Sequence, residues 1–213
     1  MATLWYKFSM GRRSDHSRPE IAQMLILEGH KHMAEVGFAR FSAREVAKRI
    51  GYSIGTLYNV FGTYDHFVAA VNTQTFELWA DELRDALSAC KGDRIQCLVE
   101  NYFSFARDNR NLWRAIYEHH VPDDFVMPEH QDMKRGKLTE VVVQEVANAL
   151  PPARTDMAPR LARSLVATVH GHCTFDLSGS FSLMGMDGAV EMALERVRES
   201  LMVVDRDVEA DPS

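Results

Sequence analysis

The chain has 213 residues, of which 46% are apolar and 25% are charged, and its formal net charge at pH 7 is −6. This length exceeds what one small nucleic-acid-binding module requires, so a sizeable second part remains to be explained. A net acidic chain binds polyanions poorly, which excludes non-specific nucleic-acid binding through overall charge and restricts any such binding to a locally basic surface.

Residues 1–16 are predicted to form a disordered N-terminal extension. Arg12 and Arg13 within it, with Arg18 just beyond it, could form a basic arm that lies on the DNA backbone or in the minor groove. A disordered, solvated tail is the other interpretation of the same residues. The sequence leaves both open.

The first predicted helix begins after Ser17 and ends near Val36. Ser17 and Glu20 have the spacing of a capping box, in which a serine oxygen and a glutamate carboxylate satisfy N–H groups of the first turn. Apolar residues at helical spacing predict one inward face, formed by Ile21, Leu25, Met33 and Val36. We expect this helix to brace the elements that follow it.

A short second helix is predicted from Ala43 to Ile50. Ser42 and Glu45 form another capping box at its start. Gly51 supplies the left-handed residue that closes a helix C-terminus. The glycine therefore predicts a tight turn directly after Ile50.

The third helix is predicted to begin after the N-cap candidate Ser53. Its buried face carries Ile54, Leu57 and Phe61, which recur at positions i, i+3 and i+7. Two short helices joined by a glycine turn have the layout of a helix-turn-helix. With the first helix they predict a three-helix DNA-binding domain over residues 17–66.

The outward face of the third helix is small at its N-terminus and polar beyond it, which suits a helix whose leading end approaches base edges. Tyr58 offers a hydroxyl to a phosphate, Asn59 can form paired hydrogen bonds with adenine, and Thr56 can contact thymine or phosphate. An ordinary helical hairpin is the alternative, but its surface would more often carry Lys and Glu.

Basic charge is concentrated in the same part of the chain. Through Gly62 there are nine Lys or Arg against five Asp or Glu, whereas the remainder has fifteen against twenty-five. We therefore expect a docked, locally basic surface to face DNA, with the acidic remainder held away from the duplex.

From about Ile21 to Val71 the sequence resembles the N-terminal domain of the TetR family of bacterial transcriptional regulators. The resemblance rests on Gly37-Phe38, Ala47, Gly51 and the run Gly55-Thr56-Leu57-Tyr58 followed by Phe61. Tyr64 stands where the family often has a phosphate-binding lysine, and Val60 where it often has His or Tyr. The resemblance implies a repressor that binds double-stranded operator DNA. The predicted DNA-binding residues are Ser42, Arg44, Ser53, Ile54, Gly55, Thr56, Tyr58, Asn59 and Tyr64.

The rest of the chain is predicted to be helical. Thr63 caps a long helix that runs to Cys90 and joins the two halves. Further helices are predicted over residues 93–108, 112–120, 128–150, 157–179 and 186–204, with Pro122, Pro151-Pro152 and Gly185 at the breaks. The predicted fold is all-α, with a helical ligand-binding and dimerisation domain over residues 67–204 and an acidic tail over residues 205–213.

The run VATVHGHCTFDL, from Val166 to Leu177, resembles the W-H-G region of one class of TetR C-terminal domains. The resemblance implies a homodimer in which the last two long helices of each subunit form a four-helix bundle, with small residues permitting close approach. A dimer also suits DNA reading, since two recognition helices about 34 Å apart meet successive major grooves. The predicted interface residues are Ala167, Gly171, Gly179, Val190, Leu194 and Val197.

Aromatic residues are dense between Trp79 and Met184, which predicts a mostly apolar interior that could hold a small-molecule effector of unknown identity. Most of these side chains are expected to serve packing. The predicted pocket residues are Tyr102, Phe103, Trp113, Tyr117, His120, His170 and Phe175, and further polar candidates are Asn101, His119 and Asp176.

Two alternative functions come from other classes of protein. His170 and Cys173 share one helix face at i, i+3, and His119 or His120 could complete a tetrahedral metal site, which would make the protein a metal-responsive regulator. A helical enzyme is the second alternative, but no catalytic or cofactor-binding motif is present. We therefore expect no cofactor, no metal and no enzymatic activity.

Cys90, Cys97 and Cys173 are odd in number and contain no C-x-x-C pair. This pattern argues against a disulfide framework and predicts buried, reduced cysteines and a cytoplasmic location. No apolar run reaches the ~18 residues of a membrane span, and residues 1–10 lack the apolar stretch of a secretory signal, so no membrane partner is expected.

Overall fold

A computed structural model describes residues 16–209, with side chains described through Val204. Within these residues the chain forms helices and no strands, which confirms the predicted all-α class. No helix among them is long and apolar enough to cross a membrane. The α-helices are α1 (Arg18–Val36), α2 (Ala43–Arg49), α3 (Ile54–Phe61), α4 (Tyr64–Ala89), α5 (Arg94–Asp108), α6 (Arg110–Glu118), α7 (Glu129–Asn148), α8 (Ala158–Ser178), α9 (Ser180–Leu183) and α10 (Ala189–Glu209), and 3-10 helices cover Phe38–Arg40 and Pro152–Met157.

Side-chain caps begin the first four helices as predicted. The Glu20 carboxylate accepts hydrogen bonds from the backbone N–H and the hydroxyl of Ser17 at 2.6 and 2.7 Å. The Ser53 hydroxyl accepts from the Thr56 N–H, and the Thr63 hydroxyl from the His66 N–H. Apart from the bond donated by the Ser17 hydroxyl, each of these bonds satisfies an N–H group at the start of a helix that has no partner within the helix.

The capping box at α2 is only half formed. The Ser42 hydroxyl accepts from the Glu45 N–H at 3.3 Å. The Glu45 carboxylate, however, lies 3.5 Å from the Arg49 Nε and 3.9 Å from the Lys48 Nζ. Ion pairs along the helix thus compete with the reciprocal bond that the sequence predicts.

The described residues pack around two hydrophobic cores. The N-terminal core joins α1 to α3 with the start of α4, and its fully buried members include Leu25, Val46, Leu57, Phe67 and Val71. The C-terminal core joins the rest of α4 with α5, α7, α8 and α10. The ring of Trp79 stacks on that of Phe105 at the centre of this second core, with centroids 4.5 Å apart. Helix α4 therefore contributes to both cores.

Helix α6 also reaches both cores, which the sequence did not indicate. Leu112 and Ala115 belong to the N-terminal core, whereas Trp113 belongs to the C-terminal one. The predicted domain boundary between residues 66 and 67 accordingly falls inside α4, and the N-terminal core continues to Val71. The two parts of the chain are joined by two helices.

The C-terminal end of the chain differs from the predicted helix over residues 186–204. Gly185 and Gly188 have φ values of 69° and 79°, so the chain turns there and α10 begins at Ala189. Helix α10 then continues to Glu209, into the stretch predicted as an acidic tail. Residues 1–15 and 210–213, including Arg12 and Arg13, lie outside the described residues.

The prediction that all three cysteines are free and buried is wrong for two of them. Cys90 and Cys97 are half-buried and form a disulfide with their Cα atoms 6.5 Å apart, whereas Cys173 is free and buried. The odd number and the spacing of the cysteines argued against a framework of several disulfides, but they do not exclude a single one. A single bridge needs only two cysteines at a suitable Cα distance, which the turn between α4 and α5 provides.

Candidate nucleic-acid interface and ligand cavity

Helix α3 is held against the N-terminal core by a tight turn and one buried side chain. Gly51 has φ of 81°, and the N–H of the next residue, Tyr52, donates to the Ala47 carbonyl at 2.9 Å. Leu57 is fully buried, while Ile54 and Phe61 are half-buried against the same core. These contacts fix which face of α3 remains outside.

The exposed face of α3 carries most of the residues that are predicted from the sequence to contact DNA. Ser53, Gly55 and Asn59 are exposed, and the Tyr58 side chain is 45% exposed. Thr56 is half-buried, with its hydroxyl 3.2 Å from that of Ser53. The helix thus presents a phenol, an amide and a hydroxyl beyond a leading end that carries no bulky group.

The remaining predicted DNA-contacting residues flank this face. Arg44 is exposed on α2, and Ser42 is half-buried at the start of that helix. Tyr64 opens α4 with its ring 6.4 Å from that of Phe41, and burial raises the pKa of its hydroxyl. Tyr64 therefore keeps its proton at neutral pH and can donate a hydrogen bond to a phosphate without adding charge.

Two arginines of this domain have structural contacts. Arg18 donates to the carbonyl oxygens of Asn59 and Val60 at 3.0 and 3.2 Å, so it holds the C-terminal end of α3. Arg49 pairs with Glu28 and Glu35 of α1 at 3.2 and 2.8 Å. The basic residues of the domain are thus divided between holding the helices together and facing solvent.

A cavity of about 240 Å³ lies in the C-terminal part of the chain. Side chains of α4, α5, α7 and α8 form most of its wall, and most of them are apolar. The polar side chains on the wall are those of Asn101, Tyr102, Tyr117, Thr139 and Arg163. A mostly apolar cavity with a few polar groups is the usual form of a small-molecule site.

The structure brings four of the predicted pocket residues together. Tyr102 and Tyr117 line the cavity, and Tyr117 also borders a neighbouring cleft lined by Trp113 and His170. The Tyr102 hydroxyl lies 3.0 Å from the Tyr117 hydroxyl and 2.9 Å from the His170 Nδ1. These contacts connect α5, α6 and α8 beside the cavity.

Burial keeps this hydrogen-bonded group neutral. It raises the pKa of Tyr102 and of Tyr117, because a phenolate would lose its hydration. It lowers the pKa of His170, because an imidazolium would lose its hydration in the same way. At neutral pH the three side chains therefore exchange hydrogen bonds without a formal charge.

The other predicted pocket residues lie elsewhere. Phe103 is fully buried in the C-terminal core, His120 is exposed with its Nδ1 2.9 Å from the Glu118 carbonyl, and Phe175 is 46% exposed. Of the further polar candidates, Asn101 lines the cavity, His119 lies 3.1 Å from Asp65, and Asp176 pairs with Arg107.

Sequence reasoning missed the parts of the wall that α4 and α7 supply. Phe76, Trp79 and Leu83 on α4 line the cavity, as do Leu138 and Val142 on α7. Their helical spacing was visible as a sign of a buried face. That spacing does not distinguish a face packed against other side chains from one that borders a cavity.

The residues of the proposed metal site are not brought together. Cys173 is fully buried, and burial raises the pKa of its thiol to about 12. His170 faces Tyr102, while His119 lies beside Asp65 at the start of α4. Within residues 16–209, no three His, Cys, Asp or Glu side chains are placed to hold a metal ion.

The predicted dimer residues fall into two groups. Ala167 and Gly171 are exposed on α8, and Gly179 ends that helix with φ of 76°. Leu194 and Val197 of α10 are instead buried in the C-terminal core of the same chain. Val190 is half-buried and packs against that core.

Helix α6 makes polar contacts with the N-terminal part of the chain. The Asn111 Nδ2 donates to the Ala34 carbonyl of α1 at 2.8 Å, and the Asn72 Nδ2 of α4 donates to the Ala115 carbonyl at 3.1 Å. Because α6 also carries Tyr117 on the cavity wall, one short helix contacts both the cavity and α1.

A helix-turn-helix module joined to a helical domain is the architecture of one class of DNA-binding regulators. The model of bacterial regulatory proteins of the tetR family matches residues 25–71, and the model of tetracyclin repressor-like C-terminal domains matches residues 95–201. The chain belongs to the TetR family of DNA-binding transcription regulators. No curated protein matches the sequence.

Several solved structures have a similar fold. A protein of unknown function from Rhodococcus sp. RHA1 is 18% identical with a TM-score of 0.62, over 89% of this chain and 96% of that one. The multidrug binding protein EbrR, complexed with imidazole, is 21% identical with a TM-score of 0.56, over 86% and 96%. A possible TetR family transcriptional regulator from Streptomyces coelicolor A3(2) is 14% identical with a TM-score of 0.52, over 89% and 98%.

Proposed function

We propose that this protein is a cytoplasmic repressor that binds a palindromic operator as a homodimer and releases it when a small molecule enters the cavity. The observation that carries the proposal is the exposed face of α3, on which the side chains of Tyr58 and Asn59 are exposed to solvent and follow the small residue Gly55. Side chains of these types can contact phosphate and base edges in the major groove. The protein would act by binding and not by catalysis.

Dimerisation through α8 and α10 is supported by exposed apolar and small residues. Ala167, Gly171 and Phe175 are exposed at i, i+4 and i+8, which is one face of α8. Met202 and Val203 are 50% and 57% exposed on α10. A second copy covering these positions would bury them and would pair the two α3 helices for adjacent half-sites.

The effector would act through the two helices that join the cavity to the DNA-binding domain. α4 carries Trp79 on the cavity wall and Phe67 in the N-terminal core, and α6 carries Tyr117 beside the cavity and Asn111 against α1. To cause release, the ligand must bind the DNA-released conformation, in which these helices would have different positions, more tightly than the DNA-bound conformation. A coupling of ~1–3 kcal/mol is typical of such linkage. The similar protein EbrR is a multidrug binding protein, which agrees with a ligand-binding role.

Selection of bound duplexes from a random pool, with purified protein at near-physiological salt, tests DNA recognition. We expect a palindrome with half-sites about one helical turn, ~34 Å, apart. A folded, dimeric protein that enriches no motif would contradict the proposal.

Two variants of α3 then separate backbone contacts from base contacts. Tyr58→Phe should weaken binding to all operator variants about equally, because it removes a phosphate contact. Asn59→Ala should relax the preference at one base position, with a discrimination loss of about 1–3 kcal/mol. Equal losses on every operator variant would assign Asn59 to the phosphate-contacting residues instead.

The coupling route has its own test. Asn111→Ala removes the bond from α6 to α1 on an accessible part of the structure and leaves the cavity wall unchanged. We expect ligand affinity to stay the same while a given ligand concentration releases less operator. Unchanged release would exclude this contact from the coupling.

A further inference from the structure

Two of the polar side chains on the cavity wall have N–H groups that can donate hydrogen bonds. The Trp79 Nε1–H donates to the Asn101 Oδ1 at 3.2 Å. Because an indole nitrogen can only donate, this contact fixes the orientation of the amide, with Oδ1 toward the tryptophan and Nδ2 away from it. Asn101 lines the cavity, and its Nδ2 has no hydrogen-bond partner in the described part of the chain, so this N–H group can still donate to a ligand.

A second donor lies where the cavity meets an open groove. Arg163 lines both the cavity and that groove, and one of its terminal nitrogens donates to the Pro159 carbonyl at 2.8 Å. No carboxylate of the described residues forms an ion pair with it. The guanidinium carries five N–H groups and always holds its charge, so it remains available to an acceptor or an anion at the entrance.

Negative charge is absent from the cavity wall itself, since none of the residues that line it is acidic. The outer groove holds Asp132 and Glu140, together with Arg135, whose guanidinium is held by the Thr73 hydroxyl and the Ala69 carbonyl at 2.9 and 2.8 Å. A cation that entered the cavity would thus lose its hydration and gain no acidic partner there, which is unfavourable.

We infer that the cavity takes an apolar compound that bears an oxygen acceptor, a carbonyl or, better, a carboxylate, and that it rejects alkylammonium compounds. The inference concerns the chemical class of the ligand, and it rests on the proposed function only for the role of that ligand in releasing the operator. The apolar part fills the cavity, the oxygen accepts from the Asn101 Nδ2, and a carboxylate gains further from Arg163 at the entrance. A volume of about 240 Å³ restricts the ligand to a small compound.

Three probes with the same eight-carbon skeleton test this ligand class: octanoate, 2-octanone and octylammonium. They are titrated into the full-length protein without DNA, and binding is measured by calorimetry. We expect octanoate to bind most tightly. 2-Octanone should bind about fivefold more weakly, as an exposed ion pair contributes up to ~1 kcal/mol. Octylammonium should bind at least ~100-fold more weakly than octanoate, given the cost of an unpaired buried charge.

Two charge changes should shift the affinities in opposite directions, raising that of octylammonium and lowering that of octanoate. Asn101→Asp keeps an oxygen for the Trp79 Nε1–H but replaces the free donor by an acceptor, so octylammonium should gain affinity and octanoate should lose it. Arg163→Glu should shift the two affinities in the same directions by about fivefold each, because an exposed ion pair contributes up to ~1 kcal/mol. Arg163 is exposed, so this substitution does not put folding at risk. Arg160→Glu is the matched control, because Arg160 is exposed on the same helix and does not line the cavity. It should leave all three affinities within twofold of the unmodified protein.

Octylammonium binding as tightly as octanoate to the unmodified protein would overturn the inference. An unchanged ratio of octanoate to octylammonium affinity in both Asn101→Asp and Arg163→Glu would also overturn it. If Asn101→Asp does not fold by circular dichroism, the change of this ratio in Arg163→Glu alone decides. Operator selection separates this result from the proposed function. An enriched operator with no binding of any probe refutes the ligand class only, whereas the expected probe order with no operator refutes the proposed function only.

Discussion

Gly29→Ala should destabilise the protein although alanine is the better helix former. Gly29 lies in the middle of α1, and a Cβ added there would stand 2.7 Å from the Val71 Cγ2 and 2.9 Å from the Phe67 Cζ. Both neighbours are fully buried on α4 and have no room to retreat. Overpacking of this kind typically costs 1–3 kcal/mol, whereas the helix propensity of alanine contributes about 1 kcal/mol. We expect a net loss of up to about 2 kcal/mol in the free energy of unfolding.

Gly136→Ala is the matched control for this substitution. Gly136 lies within α7, and the nearest heavy atom to an added Cβ is the Glu140 Oε1 at 3.9 Å, so only the propensity gain remains. The difference between the two variants isolates the steric cost and should be about 1–3 kcal/mol. Urea unfolding followed by circular dichroism, at equal protein concentration, measures it. Two variants stabilised equally would show that α1 is not packed tightly against α4, and the reasoning would be refuted.

Three further predictions concern separate features. Gly171→Ala should weaken dimerisation at least about tenfold if α8 packs closely on a second copy, and analytical ultracentrifugation measures this change. Within the single chain the added Cβ would meet nothing within 4 Å, so folding should not be affected. An unchanged dimer would exclude Gly171 from the interface. Cys97→Ser should lower the free energy of unfolding of the oxidised protein by about 2.5 kcal/mol, as expected for the short loop that the bridge to Cys90 closes. In urea unfolding with reductant, the difference between the variant and the unmodified protein should disappear. The same difference with and without reductant would mean that the bridge does not form. The Asp93 carboxylate accepts from Arg198 at 2.6 Å, which lowers its pKa, so its contribution to stability is present above the unfolded pKa of ~3.9 and is lost as the pH falls through the folded pKa. Arg198→Gln should therefore destabilise equally at pH 7 and pH 5 and progressively less below about pH 4, and a loss that persists unchanged at pH 3 would contradict this.

The starts and ends of the N-terminal helices could be predicted from the sequence because they depend on neighbouring residues. Ser53 and Thr63 cap the helices that follow them, and Gly51 turns the chain with a positive φ. Each of these features needs one side chain or one glycine within a few residues of its partner. The family of the chain followed from the same local signals.

The residues that line the cavity could not be predicted from the sequence. Tyr102 and Phe103 are adjacent on α5 and were predicted alike, yet Tyr102 faces the cavity and Phe103 is buried in the core. On α10, Leu194 and Val197 were predicted at the interface with a second copy but pack within their own chain. Periodicity shows that a helix face is apolar but not what covers it.

The remaining differences also depend on residues that are distant in the sequence. Helix α6 joins both cores because Asn111 and Ala115 meet α1 and α4, more than 40 residues away in the chain. The cysteine pair formed because the turn after α4 sets its Cα distance. Local chemistry specifies the caps of the N-terminal helices and the exposed face of α3, so these features could be predicted from the sequence. Packing between helices decided the cavity, its donors and the route from the cavity to α1, because those contacts exist only once the chain has folded.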